Sequence, residues 1–144
     1  MILVSSCLLG LCCRYDGKEK EYEGIHTFLK NKAYIPICPE QMGGLPTPRK
    51  PAEIVSLEPL KIMTEEGDVT AEFVKGVEEV KKLILRHDIE LAILKSKSPS
   101  CGRYERYDGT FTRTLIKGSG ILASMLLDKN IKVINEEDIM EAPV

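Results

Sequence analysis

The sequence predicts an α/β fold: a single-domain, three-layer sandwich with a mostly parallel, Rossmann-like sheet, helices on both of its faces, and the functional site at the C-terminal strand edge. Three observations lead there. Short apolar runs alternate with helical patterns, the order expected of βαβ crossovers. The 144 residues suit one domain, 1–144, with one core. Cys7, Cys38 and Cys101 each come after one of the apolar runs, so a parallel sheet would gather the three thiols along one edge.

The first strand is expected over residues 2–6, an apolar start that runs into Cys7. A polar stretch and a helix near residues 22–31 lead to a second strand at 33–37. Residues 38–50 are so rich in Pro and Gly that they read as a shaped loop, neither helix nor strand. Residues 54–64 add a candidate edge strand. Phe73, Val74, Val77, Val80, Leu83 and Ile84 then recur at helical spacing, with Glu72, Lys75, Glu78, Glu79, Lys81 and Lys82 on the other face. Asp68 or Thr70 can cap that helix, because a short oxygen acceptor meets the unpaired amides of a first turn. Residues 90–94 give a third strand, 120–127 a helix and 131–134 a fourth strand. Asn135, followed by Glu136, Glu137 and Asp138, reads as the cap and acidic first turn of a last short helix.

Composition narrows the functional classes. Charged residues make up 29% and hydrophobic ones 43%, with a net charge of -2, which is ordinary for a soluble globular protein. No nucleic-acid partner is expected, since neither end is strongly basic, Trp is absent and aromatics are few. No membrane partner is expected either, because no run approaches the ~20 apolar residues of a span. The apolar N-terminus is short and lacks a positively charged leader, so no signal peptide is expected. Five cysteines in such a chain imply a cytoplasmic, reducing setting, where clustered thiols bind metal or do chemistry more often than they form disulfides.

Three thiolate ligands, rather than four, would leave a metal position open for substrate. Soft sulfur suits both iron–sulfur clusters and zinc, so convergence alone does not name the metal. No Cys-x-x-Cys pair occurs, which argues against a zinc ribbon or a thioredoxin-like pair. Cys13, or Cys12 beside it, could supply a fourth ligand, whereas a buried cysteine can also be a plain small hydrophobe, the favoured account of Cys12. Glu40, two residues past Cys38, is placed to be a general base on water, or is a solvated loop carboxylate. Arg49 could pair with an anion or a substrate carbonyl, or anchor its loop through Glu53. Ser96, Ser98 and Ser100 flank Cys101 with hydroxyls that could donate to sulfur or substrate, or simply build a turn. His26 and His87 fall on helical segments and read as structural. Lys117-Gly118-Ser119-Gly120 could offer the free amides of a helix start to an anion, or be only a turn and cap. Arg14-Tyr15-Asp16-Gly17 echoes Arg106-Tyr107-Asp108-Gly109, which repeated turn chemistry explains; the alternative is that both loops border one cleft.

Ser6-Cys7-Leu8-Leu9-Gly10, Arg14-Tyr15-Asp16-Gly17, Cys38-Pro39-Glu40, Gly43-Gly44-Leu45-Pro46-Thr47-Pro48-Arg49 and Ser98-Pro99-Ser100-Cys101-Gly102 together resemble the 2-thiouracil desulfurase family, over essentially the whole chain. The resemblance implies a 4Fe-4S cluster held by Cys7, Cys38 and Cys101, with the fourth iron unliganded by protein. It implies that this iron takes the sulfur of a thiolated base while water replaces sulfur at the ring carbon, without net redox change. Glu40 matches the acid that activates water, and Ser98 a serine that orients substrate or relays a proton. The implied substrate is a small-molecule thio-base of the 2-thiouracil type. Two other functions stay open at this point: a non-catalytic iron–sulfur carrier or sensor closed by Cys13, and a zinc–thiolate binding module.

Overall fold

In the computed structural model, which describes residues 1–10 and 23–141, the elements follow one another as strand, helix and hairpin. β1 (Ile2–Ser5) runs into a single 3-10 turn, Ser6–Leu8. α1 (Glu23–Leu29), β2 (Tyr34–Ile37) and α2 (Pro39–Met42) follow, then β3 (Glu53–Leu57), β4 (Leu60–Thr64) and the two-residue β5 (Gly67–Asp68). α3 (Thr70–Arg86) leads to β6 (Leu91–Leu94), the hairpin of β7 (Glu105–Tyr107) and β8 (Leu115–Lys117), α4 (Ile121–Asp128), β9 (Lys132–Asn135) and α5 (Glu136–Glu141).

The four expected apolar strands form one sheet in the order β2-β1-β6-β9, with every pairing parallel. Ile2 stands level with both Tyr34 and Leu91, and Leu94 with Asn135, so the C-terminal ends share an edge. Alternation along each strand then sorts side chains into two layers. Ile2, Val4 and Ile93 pack with Ile25 and Leu29 of α1 and Ile139 of α5. Leu3, Ala92, Leu94 and Val133 face the other way, onto Val80 of α3 and Leu122, Ala123 and Leu126 of α4. This is the expected three-layer sandwich. β1 connects toward β2 on one side, while the later crossovers add β6 and β9 on the other, so the connections diverge between β1 and β6. Ligand crevices of open α/β sheets form at such a switch point, beyond the carboxyl ends of the strands.

Several expectations change in detail. Residues 54–64 do not extend the main sheet; β3, β4 and β5 form their own antiparallel sheet, turning at Glu58-Pro59. Ile54 and Ile62 bury one face of it against Phe73 of α3, a small separate core that removes any need to join the parallel strands. The 38–50 loop contains one helical turn, α2, because Pro39 sits at the first helical position, where its missing N–H costs nothing. On α3, Val74 is exposed and Gly76 takes the buried position instead. A Cβ at Gly76 would run into the Pro39 carbonyl, and one at Gly43 into the Glu72 carbonyl, so the two glycines let α2 lie directly on α3. Thr70 opens α3, and its amide donates to Asp68 Oδ1 at 2.8 Å. Hydrogen bonds from Thr70 in turn hold the Asp68 carboxyl below its usual range.

Candidate active site

The three thiols reach one cavity of about 780 Å³ by three different local devices. Cys7 lies in the 3-10 turn that ends β1, and is buried. Cys38 is the residue between β2 and α2, with extended backbone, half-buried. Cys101 comes seven residues after β6 ends, on a loop rather than at the strand tip, and is 3% exposed. All three stand as thiols and not as disulfides. Among the described residues, no three His, Cys, Asp or Glu side chains crowd together as one metal ion demands. Cys12 and Cys13 lie outside the described residues.

The loop bearing Cys101 is tied down at every turn. Ser98 Oγ accepts the amides of Ser100 and Cys101, both at 3.1 Å, which shapes the turn from within. The start of α4 serves the same loop: the amides of Ile121 and Leu122 donate to the carbonyls of Pro99 and Ser100 at 2.9 Å each, and Gly120 N donates to Gly102 O at 2.7 Å. The helix start that the sequence offered to an anion is therefore spent on backbone carbonyls. Asn135 does not cap α5 with its side chain either. Its Nδ2 donates to Leu94 O at 2.7 Å and Cys101 O at 3.3 Å, while its Oδ1 accepts Arg103 N at 3.0 Å.

Glu40, only 9% exposed, stands between the loops. Ser100 Oγ donates to Glu40 Oε1, and Ser98 Oγ lies 2.9 Å from Ser100 Oγ. Cys38 Sγ donates to the other carboxylate oxygen, Oε2, at 3.7 Å. The two expected catalytic side chains, Glu40 and Ser98, are thus joined through Ser100. Burial, above all, and then the negative charge of Glu40 push the Cys101 thiol far above its ordinary pKa. The hydroxyls of Ser100 and Ser5, 3.4 and 3.5 Å from Cys101 Sγ, offset part of that.

The remaining candidates divide. Arg49 borders the cavity and donates through Nη1 to Pro46 O and Thr47 Oγ1, both at 3.2 Å. Buried Glu53 accepts the amides of Gly109 and Phe111 at 3.0 and 3.2 Å, fastening the 107–113 loop to the cavity wall. The amide and hydroxyl of Ser96 donate to buried Glu136 at 2.6 and 3.1 Å. His26 lies exposed on α1 and His87 at the end of α3, neither of them bordering the cavity. In the second copy of the echoed tetrapeptide, Asp108 Oδ1 accepts the Thr110 amide at 3.0 Å, a turn; the first copy lies outside the described residues. The bridging place of Ser100 and the roles of Asn135 and Glu136 were not foreseen. The only sequence signal for the last two was an acidic helix start, and that suggested a different use.

A family model described as 2-thiouracil desulfurase matches residues 2–138. A Bacillus subtilis (strain 168) protein, YbbK, described as uncharacterized, is 39% identical over 147 residues, covering 96% of this chain and 97% of its own length. Among solved structures, the [4Fe-4S]-dependent thiouracil desulfidase TudS superposes with a TM-score of 0.88 at 40% identity, over 97% of this chain and 93% of TudS.

Proposed function

The chain belongs to the 2-thiouracil desulfurase family, and we propose that it converts a free thiolated pyrimidine of the 2-thiouracil type to the oxo base, with Cys7, Cys38 and Cys101 as the ligands of a four-iron, four-sulfur cluster. Water supplies the oxygen and sulfide leaves, so no net oxidation or reduction occurs. The bound cluster supplies a soft Lewis acid for the thiocarbonyl sulfur. Convergence of the three thiols with Glu40 and Ser98 on one cavity is the observation that carries this reading.

The donor set fits such a group. A cluster takes one thiolate on each of three irons, which calls for sulfurs spread around a larger body than one zinc ion. Ser5 donates to Cys101 Sγ, as hydrogen-bonding neighbours of a cluster thiolate do. A thiol so strongly disfavoured as an anion by burial ionises when a metal supplies the positive charge.

Glu40 acts as general base. Oε1 accepts from Ser100, and Oε2 loses its Cys38 donor once that sulfur is a ligand, leaving Oε2 to take a proton from water. Ser98 gives its hydroxyl to substrate or, through Ser100, exchanges a proton with Glu40. A small free base suits the net charge of -2 better than a thiolated RNA, which would call for more basic surface. Among the described residues, no helix is long and apolar enough to cross a membrane, and a reducing cytoplasm suits a thiol-rich site.

The test is protein purified without oxygen, assayed for iron, acid-labile sulfide and desulfuration. About four irons and about four sulfides per chain, with uracil and sulfide produced from 2-thiouracil, are expected. Zinc without labile sulfide, or cluster-loaded protein that leaves 2-thiouracil intact, overturns the proposal.

A further inference from the structure

A second cleft, of about 450 Å³, is lined by Arg103, Tyr104, Glu105, Lys117, Gly118 and Ser119, and shares none of these residues with the cavity of the three thiols. It lies where the chain passes from the Cys101 loop into the β7-β8 hairpin. Its backbone is occupied: the Gly118 amide donates to Tyr104 O at 3.0 Å, and Ser119 Oγ donates to Arg103 O at 2.8 Å. Its cationic side chains are not.

Arg106, on β7, is 9% exposed, and its Nη1 fills the place where a side chain at Gly118 would begin. The missing side chain of Gly118 thus brings this guanidinium up to the cleft wall. Arg103 lines the cleft itself, with Cζ 4.9 Å from the centroid of the Tyr104 ring, a face that steadies a guanidinium plane. The Nε atoms of both arginines are enclosed and have no acceptor. Among the described residues, neither guanidinium forms an ion pair. Lys117 is exposed and stands level with Glu105 across the hairpin, yet these two form none either. Asp138 stands at the Tyr104 phenol and accepts the Asn135 amide at 2.8 Å, without pairing with Arg103.

A guanidinium cannot escape burial by losing its proton, as an ammonium can. An enclosed charge without a partner is strongly destabilising, and an anion from outside the chain would offset it. The guanidinium fork matches the oxygens of a phosphate. Other cations of the molecule belong elsewhere. Arg49 donates to Pro46 O and Thr47 Oγ1, Lys95 pairs with Glu136, and half-buried Lys97 borders the thiol cavity.

We propose that Arg103, Arg106 and Lys117 form a binding site for a phosphate dianion at this second cleft, either the free ion or the terminal group of a small phosphomonoester. Bound there, the phosphate would join the loop of Cys101 to the hairpin that supplies Tyr107, Phe111 and Arg113 to the wall of the thiol cavity.

The test is calorimetric titration of the full chain, purified without oxygen, with inorganic phosphate and with phenyl phosphate, beside melting in phosphate and in chloride of equal ionic strength. Saturable binding of at least one is expected, with a melting temperature that rises with its concentration beyond the chloride control. Arg106→Met removes the enclosed charge at similar length. It is expected to weaken binding about 10- to 100-fold, and to melt no lower than wild type without phosphate, since an apolar group in place of a buried ionic one is often neutral or stabilising. A merely structural arginine would instead lower the melting temperature in every buffer and leave the phosphate affinity of the folded protein alone. Lys117→Gln, an exposed change, is expected to weaken binding roughly 2- to 5-fold. Tighter binding of phenyl phosphate identifies an organic phosphate as the ligand and tighter binding of inorganic phosphate the free ion; either supports the site. No saturable binding by wild type overturns it, and so does wild-type affinity in folded Arg106→Met. Should Arg106→Met not fold, wild-type affinity in both Arg103→Gln and Lys117→Gln overturns it. Affinity lost in Lys97→Gln and kept in Arg103→Gln and Lys117→Gln would move the anion to the thiol cavity, which also overturns it.

Discussion

The hydroxyl of Ser100 donates to the carboxylate of Glu40, joining two loops 60 residues apart in the chain. Ser100 is fully buried, and its oxygen also lies 2.9 Å from that of Ser98. Three side chains from two loops therefore behave as one hydrogen-bonded row beside Cys101, and removing the middle member should separate its ends.

Ser100→Ala is expected to keep its iron while kcat falls about 10- to 100-fold, the usual effect of losing a supporting hydrogen bond beside a metal site. Iron analysis and steady-state sulfide release on the same preparation check this. Wild-type kcat in a fully loaded variant would mean that Ser98 and Glu40 work independently.

Glu40→Gln keeps the shape of the side chain and its acceptor for Ser100 but cannot take a proton from water. Sulfide release should drop by about 10²- to 10⁴-fold with the cluster absorption unchanged. Turnover at the wild-type rate would remove Glu40 from the role of base.

Cys101→Ser exchanges a soft thiolate for a hydroxyl at a position 3% exposed. Protein prepared without oxygen should lose its brown absorption and most of its labile sulfide, and so should Cys7→Ser and Cys38→Ser. Circular dichroism reports whether the sheet survives. A Cys101→Ser protein with a full complement of labile sulfide would transfer the ligand role elsewhere.

Gly76→Ala lies on α3, outside the cavity wall, yet its new methyl would meet the Pro39 carbonyl at the start of the turn that carries Glu40. Overpacking of this kind costs about 1–3 kcal/mol. The melting temperature should fall by several degrees, and kcat with it as α2 is pushed off α3. A variant that melts with wild type would show that the two helices can part without cost.

Much of the architecture was legible because it obeys local rules. Apolar runs such as residues 2–4 and 92–94 are buried on both faces of a parallel sheet, so they stand out as uninterrupted stretches. The amphipathic face of α3 was legible for the same reason, apart from Val74 and Gly76, whose places depend on how closely α2 approaches. The 54–64 segment was misassigned because a short apolar run reads alike whether it pairs with the main sheet or with its own neighbour. Asn135 and the start of α4 looked like an ordinary cap and a free helix end, since nothing local reveals that both are spent on the loop around Cys101.

The sequence by itself determined the α/β class, the four strands, and the residue types available for chemistry, because strand and helix periods and thiol chemistry are properties of short stretches of chain. Tertiary structure alone decided that Ser100 links Glu40 to Ser98, that Asn135 and the α4 amides fasten the Cys101 loop, and that Glu136 holds Lys95 at the cavity. Each is a hydrogen bond or ion pair between elements far apart in sequence. Its existence depends on a separation of about 3 Å, which strand order and helix packing set and no local pattern records.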